Sequence, residues 1–268
     1  MGMFDFFKKD NAEAEAAVTA EETKSTEMTR SRYTLMVEDA FTLKKKNGLV
    51  VVGHLHGEIK VGDAAYICHH TKPMTCVKVL GIEIEKGKPA QSASNQPVAL
   101  LLDCVSTREE APKFAVISGM EPQVDEGDNT KLQNPMLLGL SMEYMRFVKE
   151  EQYLHTLIYA ATHAKYITPV KVDEQSAVSF VGIGNPSVPG VTFLPLFTDW
   201  VALNIDESVF ESNKKDTMLM EFPDAVSVAK NGYEGIVINP YGPVPVMMPG
   251  ELINAITSLE GYKDEFGE

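Results

Sequence analysis

Residues 37–63, VEDAFTLKKKNGLVVVGHLHGEIKVGD, decide the fold of the first half of the chain. An extended segment enters at Val37, the polar run Lys44-Lys45-Lys46-Asn47-Gly48 reverses it, and Val50-Val51-Val52 returns as a buried strand. Asn-Gly between β-branched runs is hairpin chemistry, because both residues accept the positive φ of a tight turn. A second turn is expected at His56-Gly57, ahead of Val61-Gly62-Asp63. Working outward, further strands are expected at 33–43, 49–56, 64–70, 75–85, 97–103 and 113–117. Ile82-Glu83-Ile84-Glu85 alternates apolar and charged, so Glu83 and Glu85 are expected on the solvent face. Several short strands with glycine-rich turns and no long helix predict an antiparallel β-barrel over residues 31–118.

The remainder reads differently. Residues 119–135, GMEPQVDEGDNTKLQNP, are rich in Pro, Gly, Asp and Asn and are expected to link two domains. Asn134-Pro135 opens a helical pattern, since proline suits a first helical turn. Helices are expected at 136–149 and 150–163, the second carrying Tyr153, Leu154, Leu157, Ile158 and Ala161 at helical spacing. Strands follow at 166–172, 177–182, 192–197, 218–221 and 235–238. Pro223 starts a helix that stops at Asn231-Gly232, and residues 249–259 form a last amphipathic helix. Interleaved helices and strands make residues 136–268 an α+β or α/β layer domain.

A length of 268 residues fits about two domains. The net charge of -14 opposes a phosphate backbone, so nucleic acid is an unfavourable partner. Cys68, Cys76 and Cys104 form no CxxC pair, and a reducing cytoplasm is expected rather than a disulfide framework. No apolar run is long enough to span a bilayer. Residues 1–30 hold few apolar anchors and are expected to be a flexible arm, with Phe4, Phe6 and Phe7 either a docking motif or a frayed end.

The barrel region resembles the second domain of elongation factor Tu and other translational GTPases. Val37-Glu38-Asp39, Phe41-Thr42, Gly53, Gly57, Lys60-Val61-Gly62-Asp63, Gly81-Ile82-Glu83 and Ala99-Leu100-Leu101-Leu102 carry that resemblance. No GTP-binding domain is expected in the stretch before it. The resemblance implies that Glu38, Asp39 and Phe41 correspond to a pocket for the aminoacyl end of charged tRNA. Val52 replaces the expected hydroxyl, His54 replaces the expected base, and one residue is missing near His56-Gly57. The second half resembles the SseB family, named for a serine-sensitivity phenotype. Phe193-Leu194-Pro195-Leu196-Phe197-Thr198-Asp199, Phe222, Gly235-Ile236-Val237-Ile238-Asn239-Pro240 and Pro249-Gly250-Glu251-Leu252 carry it. That family implies an α/β binding or interaction module and supplies no catalytic residues.

Other constellations yield less. Gly182-Ile183-Gly184-Asn185-Pro186 precedes a strand rather than a helix, unlike a phosphate loop. His54 and His56 would meet Cys68 and His70 over a metal only if their strands paired. His155 and His163 lie near one helix face and read as surface or interface residues. Met247-Met248, between prolines, reads as core or as a groove lining. The expected site is therefore the carboxyl edge of two adjacent parallel strands, at Phe197, Thr198, Asp199, Asn239 and Tyr241. The competing reading makes Asp199 a helix cap and Asn239-Pro240 a turn. The chain is expected to be a non-enzymatic, cytoplasmic binding or regulatory protein without metal or cofactor, taking a protein partner or a small ligand. The rival expectation is a translation-associated binder. Given Val52, His54 and the charge, filter binding at near-physiological salt should show no saturable aminoacyl-tRNA binding in the low-micromolar range. Submicromolar binding abolished by Phe41→Ala would reverse this reading.

Overall fold

The computed structural model describes residues 31–43, 48–85, 87–103, 108–123, 131–184, 188–205 and 216–267. The expected arm over 1–30, the Lys44–Asn47 reversal and the middle of the expected linker lie outside the described residues. The chain forms two compact units that divide between Glu121 and Pro122.

The first unit contains β1 (Tyr33–Met36), β2 (Asp39–Leu43), β3 (Gly48–Lys60), β4 (Ala64–His69), β5 (Lys72–Glu85), β6 (Lys88–Ala90), β7 (Ser92–Ser94), β8 (Pro97–Leu102) and β9 (Val116–Ser118). Antiparallel pairing runs β1-β9-β4-β5-β8-β3 and returns to β1, so six strands close a barrel. β2, β6 and β7 add to its rims. The interior is filled by alternate residues: Leu49, Val51, Leu55 and Ile59 of β3 are all fully buried. Each contributes about 1.5–3 kcal/mol of burial.

Three local expectations change. Residues 33–43 are two strands, because Val37 leaves β3 to bond Ala115 and Phe114 instead (2.7 and 2.8 Å). No turn occurs at His56-Gly57; β3 runs through it, with Gly57 at φ +95°, where an added Cβ would lie 2.4 Å from the Arg32 carbonyl. The reversal comes at Val61-Gly62, where Asp63 Oδ2 accepts from the Lys60 amide (2.9 Å). Glu83 is fully buried rather than exposed; its Oε1 accepts from the Gly87 amide at 2.7 Å.

The second unit holds α1 (Pro135–Met142), α2 (Tyr144–Phe147), α3 (Glu151–Thr162), β10 (Lys165–Val172), β11 (Val178–Phe180), β12 (Ile183–Gly184), β13 (Thr192–Leu196), α4 (Trp200–Leu203), β14 (Asp216–Glu221), α5 (Phe222–Lys230), β15 (Gly235–Ile238), β16 (Val246–Pro249), α6 (Gly250–Thr257) and α7 (Glu260–Phe266). Two sheets, β11-β10-β14 and β12-β13-β15-β16, meet where Ile167 and Phe197 exchange backbone hydrogen bonds. Among the described residues of this unit, β13 and β15 are the one parallel pair. Here α5 lays Phe222, Ala225, Val226 and Ala229 inward, and α6 buries Ile253 and Ile256. The expected helix over 136–149 breaks at Glu143, whose buried carboxylate bonds Arg146 (2.7 Å). Met247-Met248 forms an edge strand, with Met248 buried and Met247 exposed.

Two strands of the barrel approach closely at Gly53, where an added Cβ would lie 2.1 Å from the Met36 carbonyl oxygen. Gly53→Ala should therefore cost about 2 kcal/mol or more, because backbone rather than a flexible side chain must move. Urea unfolding followed by circular dichroism checks this; a loss below about 0.5 kcal/mol would mean that the strands separate freely there.

Candidate functional site

β13 and β15 lie side by side in register, from Leu194 opposite Ile236 to Leu196 opposite Ile238. Their carboxyl ends bring together the five residues singled out from the sequence. Phe197 and Thr198 are fully buried, Asp199 and Asn239 nearly so, and Tyr241 packs half-buried against the cluster containing Phe197. Their polar atoms face one another. Asp199 caps α4, its Oδ1 accepting from the Ala202 amide at 2.8 Å, while its Oδ2 accepts from the Thr198 hydroxyl at 3.1 Å. The Thr198 hydroxyl accepts from Asn239 Nδ2 (2.9 Å), and Asn239 Oδ1 accepts from the Thr198 amide (3.0 Å). Asn239 adopts φ +48°, a left-handed conformation that asparagine tolerates better than most residues.

Asn134, absent from the sequence-based list, completes this knot. Its Nδ2 donates to the carbonyls of Thr198 (2.7 Å) and Lys165 (2.8 Å), tying the start of α1 to β10 and β13. Nothing in the local sequence marks it beyond its place before Pro135, because its partners lie 31 and 64 residues away.

The barrel residues are arranged differently. Asp39 is exposed and accepts from the Ala40 amide at 2.8 Å. Glu38 is half-buried, and its amide donates to the Val52 carbonyl (2.8 Å). Phe41 packs on Leu43, Val50, Ala99 and Leu101, which alternate with the interior residues and so line the opposite face of the sheet. β4 pairs with β5 and β9, not with β3, so His54 and His56 are not brought to Cys68 and His70 by strand pairing. Among the described residues no group of three or more metal-binding side chains converges. Burial pushes the Cys68 thiol up to about 12. Burial, then the charges of His70 and Lys72, push the His69 imidazole down to about 4.

Open space lies elsewhere, on α3. A cavity of about 240 Å³ is bounded by Ile158, Tyr159 and His163 at the end of α3 and by Ile256, Tyr262 and Phe266 of α6 and α7. A second, of about 230 Å³, lies between the start of α1 and the end of α3. Tyr159 and His163 line both. They stand one turn apart on the helix, so their rings meet, stacked at 3.6 Å. His163 Nδ1 donates to the Tyr159 carbonyl (2.8 Å), and Nε2 lies 2.8 Å from Glu265 Oε1. Phe266 meets His163 edge-on at 5.1 Å, and Tyr262 lies 4.8 Å from Phe266. Burial, then the Glu265 charge, raise the Tyr159 hydroxyl above its ordinary value. The helical spacing marks Tyr159 and His163 in the sequence, but α7 does not announce itself, since EGYKDEF reads as a polar tail.

Residues 144–255 match the family described as SseB protein N-terminal domain. The second unit thus carries an SseB N-terminal domain, and a closed antiparallel barrel precedes it. The matched segment contains Tyr159, His163, Thr198, Asp199 and Asn239, and stops short of α7. No curated protein matches the chain. No helix of the described residues is long and apolar enough to cross a membrane.

Removing one partner from the buried knot strands the others. Asn239→Ala should cost about 1–3 kcal/mol, and Asp199→Ala at least the roughly 1 kcal/mol of a lost helix cap. Thermal unfolding of the variants by circular dichroism should show midpoints several degrees lower. An unchanged midpoint with loss of ligand or partner binding would instead make this edge a binding site.

Proposed function

We propose that the protein is a non-catalytic, cytoplasmic binding protein of the SseB type, and that it takes a small ligand against Tyr159 and His163. The observation that carries this reading is the pair of adjoining cavities sharing those two side chains. Small-molecule sites are concave and mostly apolar, with a few convergent polar groups, and the α3–α7 cavity has this composition. The non-catalytic reading draws support from the state of its histidine. Both ring nitrogens of His163 are engaged, one with a carbonyl and one with a carboxylate, so the imidazole acts as a clamp. A general base would need one nitrogen directed at a substrate proton. In this reading the barrel is a scaffold or docking surface. Asp39 satisfies its own turn and Phe41 packs on its neighbours, which supports that assignment.

A thermal-shift panel of amino acids, amines, carboxylates and small aromatics on the full chain tests the proposal. At least one class should raise the melting temperature saturably, and Ile158→Trp, which fills the cavity, should abolish the shift. Shifts that persist undiminished in Ile158→Trp, or a panel that gives none, would overturn it.

A further inference from the structure

His163 ends α3 as its C-cap and reaches α7 through Glu265. The protons on this contact can be counted. Nδ1 lies 2.8 Å from the Tyr159 carbonyl, which has no hydrogen to give, so Nδ1 carries one. Thr162 Oγ1 lies 3.0 Å from the same nitrogen; it donates its own hydrogen to the Ile158 carbonyl (3.0 Å) and so accepts from the ring. Nε2 lies 2.8 Å from Glu265 Oε1. A neutral imidazole with its hydrogen on Nδ1 would set a bare lone pair against a carboxylate at that distance. The contact therefore needs a second proton, on Nε2 or on the carboxyl group, and in either form the pair is net neutral. Once its ring is neutral, a separated imidazole and carboxylate hold one proton fewer. The last turn of α3 favours the protonated ring, because its unpaired carbonyls carry partial negative charge.

The other titratable groups nearby do not hold α7. Besides the pair, His155, Tyr159 and Tyr262 line the two cavities. Burial raises both tyrosine hydroxyls, and the Glu265 charge adds to the rise at Tyr159, so both stay neutral where histidine titrates. His155 is exposed and faces Glu151 of its own helix at 4.0 Å. Among the described residues, α1 and α6 contribute no charged side chain to either cavity. Lys165, just beyond α3, is paired with Glu221 at 3.3 Å. Lys263 and Asp264 of α7 line neither cavity. The His163 ring is also fixed in place, stacked on Tyr159 at 3.6 Å and met edge-on by Phe266 at 5.1 Å.

We propose that α7 is a proton-dependent latch over the α3–α7 cavity: it docks on α3 while the His163–Glu265 pair holds its second proton, and loosens when that proton leaves. Docking takes up a proton. By linkage it strengthens as pH falls and weakens as pH rises through about pH 5–8, the range in which histidine titrates. Tyr262 and Phe266 travel with Glu265 on α7, so loosening opens one wall of the cavity. What the opening admits rests on the reading of that cavity as a ligand site; the latch itself does not, and its test needs no ligand.

Hydrogen exchange on the full chain at low salt, with each rate referred to the intrinsic chemical rate at the same pH, compares protection of residues 260–267 at about pH 5.5 and about pH 8. The Glu265 side chain is 50% exposed and exposed pairs are weak, so protection should fall about two- to fivefold at the higher pH rather than vanish. Protection of α3 and α5 should hold. Glu265→Gln and His163→Gln should each flatten the pH dependence, because one partner no longer titrates. His155→Gln should leave it intact. Equal protection of α7 at both pH values in the unsubstituted chain would overturn the latch. So would an undiminished fall in Glu265→Gln or His163→Gln, or a flat response in His155→Gln. Saturable thermal shifts beside a failed latch leave the ligand reading standing, and a pH-dependent α7 beside an empty ligand panel leaves the latch standing.

Discussion

The pairing of Thr198 with Asn239 is the constraint on which the second unit depends. Both side chains are buried, where an unmet donor or acceptor costs about 1–3 kcal/mol, so each must find a partner inside the protein. Asn239 meets both the amide and the hydroxyl of Thr198, which fixes the ends of β13 and β15 against each other. The same hydroxyl orients Asp199 for its cap, and Asn134 binds the Thr198 carbonyl from the start of α1. One short polar cluster thereby sets two strands, two helix starts and the approach of β10. The left-handed backbone at Asn239 follows, because it lets the amide turn back toward Thr198.

The barrel rests on a different device, close backbone approach. Its wall is continuous because the strand entering at Tyr33 pairs with β3 in two pieces, interrupted at Met36 and Val37. There the chain passes so close to Gly53 that no side chain fits. Val37 spends the freed backbone groups on residues 114 and 115, next to β9, which helps join the last strand to the first. The interruption is thus part of how the sheet closes.

The barrel was legible because its signals are local: β-branched runs, glycine turns and period-two alternation. The same signals misled at Gly57 and Glu83. A glycine with positive φ can sit inside a strand as well as in a turn, and a carboxylate on the nominal outer face can be covered. In the second unit, the parallel β13–β15 pair and the Asp199 cap were readable from strand-like runs followed by Thr-Asp and Asn-Pro. The cavity on α3 was not. It depends on α7, whose polar sequence hides a stripe of Tyr262 and Phe266, and on His163 reaching Glu265 across 102 positions of sequence. Side-chain partnerships of that separation leave no periodicity to read.

The cap at Asp199 places Trp200 against the small core of Leu132, Ile167, Phe197, Ala202 and Leu203. It is the sole tryptophan in the chain. The two compact units therefore differ optically: indole emission reports on the second, while the barrel is dark at that wavelength. An unfolding curve recorded by tryptophan fluorescence describes one half of the molecule. If the barrel melts at another temperature, the emission curve and the backbone dichroism will not coincide, and the gap between them will measure how far the halves unfold independently.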